Sequence, residues 1–187
     1  MKNLKANKIY LNDWKETPNL ISIARLFLII PTIFFFQDIE KNRWILVSII
    51  ILASVLDNLD GYIARKYNKI TELGKVIDPI ADKILIALFA FYLWFTGFVP
   101  SWFFIVIILR DIVILLSGAI ALFKKFSVPA SDFFGKLTVG AIGFCLILAL
   151  LNFQKLENIY NLALYVTTFL SFLSVINYGI KGIKRNE

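Results

Sequence analysis

The chain contains no histidine, one cysteine and one methionine in 187 residues. Without imidazole there is no histidine general base and no histidine metal ligand. The lone Cys145 sits in the apolar run GFCLILALLN, which excludes an intramolecular disulfide and a thiolate cluster. Acid–base or metal chemistry must therefore rest on carboxylates, lysine, arginine, tyrosine or hydroxyls. Polar stretches are short as well. Hydrophobic residues make up 59% of the chain, 18 of them phenylalanine, and mean hydropathy is +0.76. That is too apolar for a soluble domain of this length, and the runs match the ~20 residues of a bilayer span. Acidic residues are outnumbered, 13 against 20 Lys and Arg, for a net charge of +7. In an apolar chain this excess fits the positive-inside bias and attraction to anionic lipid. No basic, aromatic-interleaved soluble module is present, so nucleic acid is not an expected partner.

The hydrophobic pattern predicts an all-α, polytopic membrane protein with six transmembrane helices, at about 19–36, 44–64, 76–96, 101–123, 136–152 and 159–180. Residues 1–17 form a juxtamembrane segment and residues 18–187 one six-helix membrane domain, with no internal repeat or second domain. Thr17 and Pro18 make a helix start. Gly97, Pro100 and Ser101 mark a turn into the fourth span. Pro31 and Pro79 fall inside helical patterns and are expected to bend or start helices. Fourteen Lys and Arg fall in segments on the side of the N-terminus, three on the opposite side and three within spans. Both termini are therefore expected in the cytoplasm. The first apolar segment is full span length, contains Arg25 and lacks an A-x-A-like site, so it does not resemble a cleavable signal. Residues 1–17 alternate Lys with Leu4, Ile9, Tyr10, Leu11 and Trp14. Both an interfacial helix and a frayed basic tail suit that pattern.

Against this background, LDNLDGYIARKYNKITELGKVIDPIADKIL at 56–85 stands out. It places Asp57 and Asp60 three residues apart, and Asp78 and Asp82 four apart, so each pair shares a helix face. A short connection makes the two helices expected antiparallel neighbours, with all four carboxylates converging toward the cytoplasmic side. Left alone, such charges repel and are costly in an apolar setting. Ion pairs with Arg25, Lys83 and Arg110 would relieve single aspartates. Hard divalent cations would relieve all four, and Mg²⁺ suits a site shared with substrate phosphates. Gly61 and Ala64 clear bulk from the same face, Arg65 offers a fork for a phosphate, and Gly74 opens a helix whose N-terminus favours anions.

The spacing Asp57-x2-Asp60-Gly61-x2-Ala64-Arg65-x8-Gly74-x3-Asp78-x3-Asp82 resembles, at every fixed position, the signature of the CDP-alcohol phosphatidyltransferases. TPNLISIAR at 17–25 and DPIADKIL at 78–85 resemble the first and third spans of its phosphatidylglycerophosphate synthase branch. The resemblance covers about residues 17 to 140, and beyond that only hydropathy agrees. It implies a six-helix membrane enzyme, often a homodimer, in the bacterial inner membrane with its active site open to the cytoplasm. The donor would be CDP-diacylglycerol and the leaving product CMP. Two Mg²⁺ or Mn²⁺ ions would be held by Asp57, Asp60 and Asp78, with Asp82 completing the second and serving as base for the acceptor hydroxyl. Gly61, Ala64, Arg65 and Gly74 would line the nucleotide and diphosphate pocket. The chemistry agrees, because displacing CMP needs charge neutralised on a diphosphate and a base near neutral pH. With no histidine, a carboxylate beside acidic neighbours is the natural base.

The acceptor is less sharply written. A soluble acceptor such as glycerol 3-phosphate brings its own phosphate, for which Arg25, Arg110 and Lys136 are the candidate cations. Each has an alternative role as an ion pair or headgroup anchor. The phosphatidylglycerophosphate synthases carry Arg-Glu in span four and Gly-Lys-x-Lys-Thr entering span five. This chain has Arg110-Asp111 and Gly135-Lys136-Leu137-Thr138. Arg-Asp and a single lysine look more like the CMP-forming cardiolipin synthases, whose acceptor, phosphatidylglycerol, arrives through the bilayer. Inositol-phosphate acceptors would call for more arginines. The expected acceptor is glycerol 3-phosphate, with phosphatidylglycerol as the alternative. A divalent-cation transporter is the rival of another class. It would need polar groups along the outer half of its spans, and apart from hydroxyls and Asn177 these are sparse.

Overall fold

The computed structural model describes residues 17–67, 74–123, 133–152 and 156–184. Among the described residues every regular element is helical: α1 (Thr17–Phe27), α2 (Ile29–Phe35), a 3₁₀ turn (Phe36–Asp38), α3 (Ile39–Lys66), α4 (Gly74–Phe95), α5 (Ser101–Phe123), α6 (Phe133–Leu151) and α7 (Glu157–Lys184). The expected segment 1–17 lies almost entirely outside the described residues.

Proline and glycine set the interruptions. Pro31 lacks the N–H that would bond back to Phe27, so the first apolar segment breaks at Leu28 into α1 and α2. The Leu28 N–H turns instead to the Arg25 carbonyl (3.1 Å), and the Thr32 hydroxyl donates to the Leu28 carbonyl (2.6 Å). Pro79, in contrast, is absorbed near the start of α4. Asp38 caps α3 by accepting the Lys41 N–H at 3.2 Å. Gly97 ends α4 with φ +81°, a left-handed conformation that glycine adopts without strain. The Phe98 and Val99 N–H groups then return to the Leu93 carbonyl at 2.8 and 3.0 Å. Pro100 supplies the carbonyl that receives Phe103 and Phe104, opening α5 at Ser101.

Two compact units divide within α4, Met1–Leu88 and Phe89–Glu187. In the first, α1 and α2 pack on α3 around Thr32, Phe36, Leu46 and Val47. In the second, α7 packs against both α5 and α6, burying Phe103, Ile107, Ile142, Leu146 and Leu164. Hydroxyls knit this second unit. Thr138 reaches the Leu170 carbonyl at 3.2 Å, Cys145 meets Thr167 at 3.2 Å, and Tyr160 donates to the Phe98 carbonyl at 2.9 Å. Such polar contacts supply interhelical adhesion where apolar burial gives little drive.

The outer faces are apolar. Ile51, Leu52, Val55 and Leu59 on α3 and Leu162, Tyr165, Phe169, Phe172 and Ile176 on α7 are exposed, while Asn19, Arg25, Asp60 and Arg110 are buried. Polar inside and greasy outside is the pattern that lipid, not water, selects. Three segments among the described residues are long and apolar enough to cross a membrane: Asn19–Ile63, Phe133–Leu151 and Glu157–Ile180. The first is 45 residues long, more than twice a ~20-residue span, and carries the charged stretch 38–43 in its middle.

Candidate active site

The polar interior of the first unit begins on α1. Asn19, Ser22 and Arg25 recur every third residue and lie along one face of the helix, and all three are buried. That face meets α3, where Asp57 and Asp60 share a side. One guanidinium spans both carboxylates, with Arg25 Nη1 at 3.0 Å from Asp57 Oδ1 and Nη2 bonded to Asp60 Oδ2. The planar fork of arginine suits such a double grip, which a lysine point charge could not copy. Ser22 donates to the same Asp60 Oδ2 at 3.2 Å. Asp60 is almost fully buried, whereas the Asp57 side chain is 49% exposed. Burial of Asp60 is tolerable only because a cation and a hydroxyl meet it.

Two of the expected ion ligands are thus brought together, and Arg25, expected near the acceptor, lies against them. Gly61 follows Asp60 and is half-buried. Asp78 and Asp82 lie one turn apart on α4. The side chains of Ala64, Arg65, Gly74, Asp78 and Asp82 lie outside the described residues, as does any convergence of the four carboxylates. No group of three or more His, Cys, Asp or Glu gathers among the described residues. Asp57 and Asp60 fit a hard ion in donor type, since carboxylate oxygens are the ligands Mg²⁺ and Mn²⁺ take.

A second polar centre lies in the other unit. Arg110 on α5 is 8% exposed and bonds through Nη1 to Asp111 Oδ1 at 2.6 Å. Its Nη2 makes long contacts with the Ser174 hydroxyl (3.4 Å) on α7 and the Gly135 carbonyl (3.5 Å) on α6. Its Nε is buried with no hydrogen-bond partner among the described residues. The same holds of Arg25 Nε, so an open Nε does not by itself single out a ligand site. Lys136, one residue beyond Gly135, is exposed in the first turn of α6.

Sequence reasoning missed Ser22, Asn19 and Ser174. The first two were signalled by their three-residue spacing ahead of Arg25 in an otherwise apolar segment. Ser174 continues a Thr167, Ser171, Ser174 stripe on α7, all three buried.

In each unit, charged side chains buried beneath helices with apolar outer faces are consistent with an integral membrane protein. A sequence profile of the CDP-alcohol phosphatidyltransferases matches residues 15–173, and the chain belongs to that family of phospholipid-synthesising enzymes. The match runs well beyond the expected limit near residue 140, into α7. The chain is 30% identical to the CDP-diacylglycerol–glycerol-3-phosphate 3-phosphatidyltransferase of Aquifex aeolicus, over 90% of this chain and 97% of that protein. It is 47% identical to the protein of the same name from Rickettsia felis, over 38% of this chain and 40% of that one. A protein of Mycobacterium bovis named "Putative cardiolipin synthase" is 33% identical over 56% of this chain and 49% of its own length. The family generally depends on a divalent metal.

Proposed function

We propose that the protein transfers the phosphatidyl group of CDP-diacylglycerol to glycerol 3-phosphate, giving phosphatidylglycerophosphate and CMP. The observation that carries this reading is the near end-to-end match to the Aquifex enzyme of that name. The buried Arg110 supports it, since its Nη2 makes only long neutral contacts and an acceptor phosphate is an anion that its fork suits. Arg25 and Lys136 are the further candidate cations for that phosphate.

In the reaction, the acceptor hydroxyl oxygen bonds to the phosphorus that carries the diacylglycerol. The bond from that phosphorus to the oxygen bridging to the cytidylate breaks, and CMP leaves with the bridging oxygen and its electron pair. Asp82 takes the hydroxyl proton. Asp57, Asp60, Asp78 and Asp82 would hold two divalent ions, Mg²⁺ or Mn²⁺, which when bound neutralise charge on the diphosphate. Gly61, Ala64, Arg65 and Gly74 would line the nucleotide and diphosphate pocket. The enzyme works as a homodimer of six-span subunits in a bacterial inner membrane, with termini and active site cytoplasmic and residues 18–187 as the catalytic domain. The segment Asn19–Ile63 then supplies two spans that turn at 38–43, and the bias of basic residues supports the orientation.

A second acceptor, phosphatidylglycerol, is favoured by one specific feature. The Gly135-Lys136-Leu137-Thr138 run carries a single lysine beside an Arg110 already paired with Asp111. The test is CMP release from CDP-diacylglycerol by purified protein with Mg²⁺, in parallel with each acceptor. Release with glycerol 3-phosphate alone is expected. Release with phosphatidylglycerol alone would make the protein a cardiolipin synthase.

A further inference from the structure

Arg25 changes the charge of the site it enters. Four aspartates carry four negative charges, which two divalent ions would cancel without help from any substrate. A buried guanidinium bonded to Asp57 and Asp60 leaves three. With two ions bound the site then holds a surplus positive charge, and the diphosphate of the donor supplies the anion that meets it. Arg25 and Asp60 are buried although Asp57 is half exposed, so such a surplus is only partly screened and opposes ion binding. We propose that Arg25 is a positioning residue that holds Asp57 and Asp60 in place and weakens divalent-ion binding until a nucleoside diphosphate is present, so that ion and donor bind with mutual dependence. This rests on the reading of Asp57, Asp60, Asp78 and Asp82 as ion ligands. It gives Arg25 a task apart from the acceptor phosphate. Ser22 supports the same grip from α1, so the first helix tunes the site through the carboxylates of the third.

The experiment is calorimetric Mn²⁺ binding to the full chain in detergent, with and without CDP, and no turnover is involved. The unsubstituted protein is expected to bind Mn²⁺ about tenfold more tightly with CDP than alone, a coupling of ordinary size. Arg25→Gln should bind Mn²⁺ alone about tenfold more tightly than the unsubstituted protein and lose most of the gain from CDP. Arg25→Lys keeps the charge and should keep the coupling. Weaker or unchanged Mn²⁺ binding by Arg25→Gln overturns the proposal, since a residue that only orients ligands or serves the acceptor gives that result. If Arg25→Gln does not fold, loss of coupling in Arg25→Lys overturns it equally. Undiminished Mn²⁺ binding by Asp57→Asn would instead sink the ion-ligand reading itself, a separate outcome.

Discussion

Each unit buries an arginine, and the two are employed differently. Arg25 grips two carboxylates across a helix pair, with a serine assisting. Arg110 has one carboxylate, its own neighbour Asp111, and its Nη2 makes only two long neutral contacts, at 3.4 and 3.5 Å. The two differ in what their Nη groups meet. The first holds two carboxylates of another helix, and the second has an Nη2 on neutral partners that an incoming anion can displace. Burial alone therefore does not identify a substrate-binding arginine.

Breaking the contrast at the carboxylates should have the largest effect. Asp57→Asn is the cleaner substitution there, because half of that side chain is exposed and its loss leaves Asp60 on Arg25. CMP release should fall below detection while the protein stays monodisperse in detergent on gel filtration. Substantial turnover would remove Asp57 from the ligand set. Asp82→Asn should lower kcat by ~10²–10⁴-fold, the usual worth of a general base, with the KM for CDP-diacylglycerol held within a few-fold. A normal kcat would dismiss Asp82 as the base.

On the other side of the contrast, Arg110→Gln should raise the KM for glycerol 3-phosphate by ~10–100-fold, the scale of a lost charge-assisted bond. The KM for the donor should not follow. Equal rises in both would assign Arg110 to structure rather than to the acceptor. The smallest effect belongs to the helix contacts around it. Thr138→Val, which deletes a hydroxyl shared between the Phe134 and Leu170 carbonyls, should cost ~0.6–1 kcal/mol in a detergent unfolding assay. Activity should be unchanged.

The helical architecture was legible because apolar runs, proline and glycine write it directly. The expected turn at Gly97 and the opening of α5 at Ser101 appear in the structure. The break at Leu28 was legible only as a bend at Pro31. Its position depends on which carbonyl loses its partner, three residues before the proline bonds would resume. Asp57 and Asp60 announced themselves by spacing. Arg25 was one of three basic residues expected to pair with single aspartates, but that it would grip both of these was not legible, because a charge in one helix carries no mark of the helix it will meet. Pairing across 32 and 35 residues is a tertiary fact, visible only once α1 lies on α3. Ser174 was hidden for the same reason, its role arising from a contact 64 residues away in sequence.

The Arg25 grip also bears on how the chain is made. An arginine within a membrane helix costs ~2.5–3.5 kcal/mol at insertion, and α1 breaks soon after Arg25, at Leu28. Its counter-charges are translated 32 and 35 residues later. At ~5–20 residues per second the growing chain holds an unmatched cation for roughly two to seven seconds. The first helix is then poorly suited to settle in lipid alone and should enter together with α3, as a hairpin carrying its ion pairs inside. A nascent chain ending before Asp57 should accordingly be extracted by alkaline carbonate more readily than one ending after Asp60.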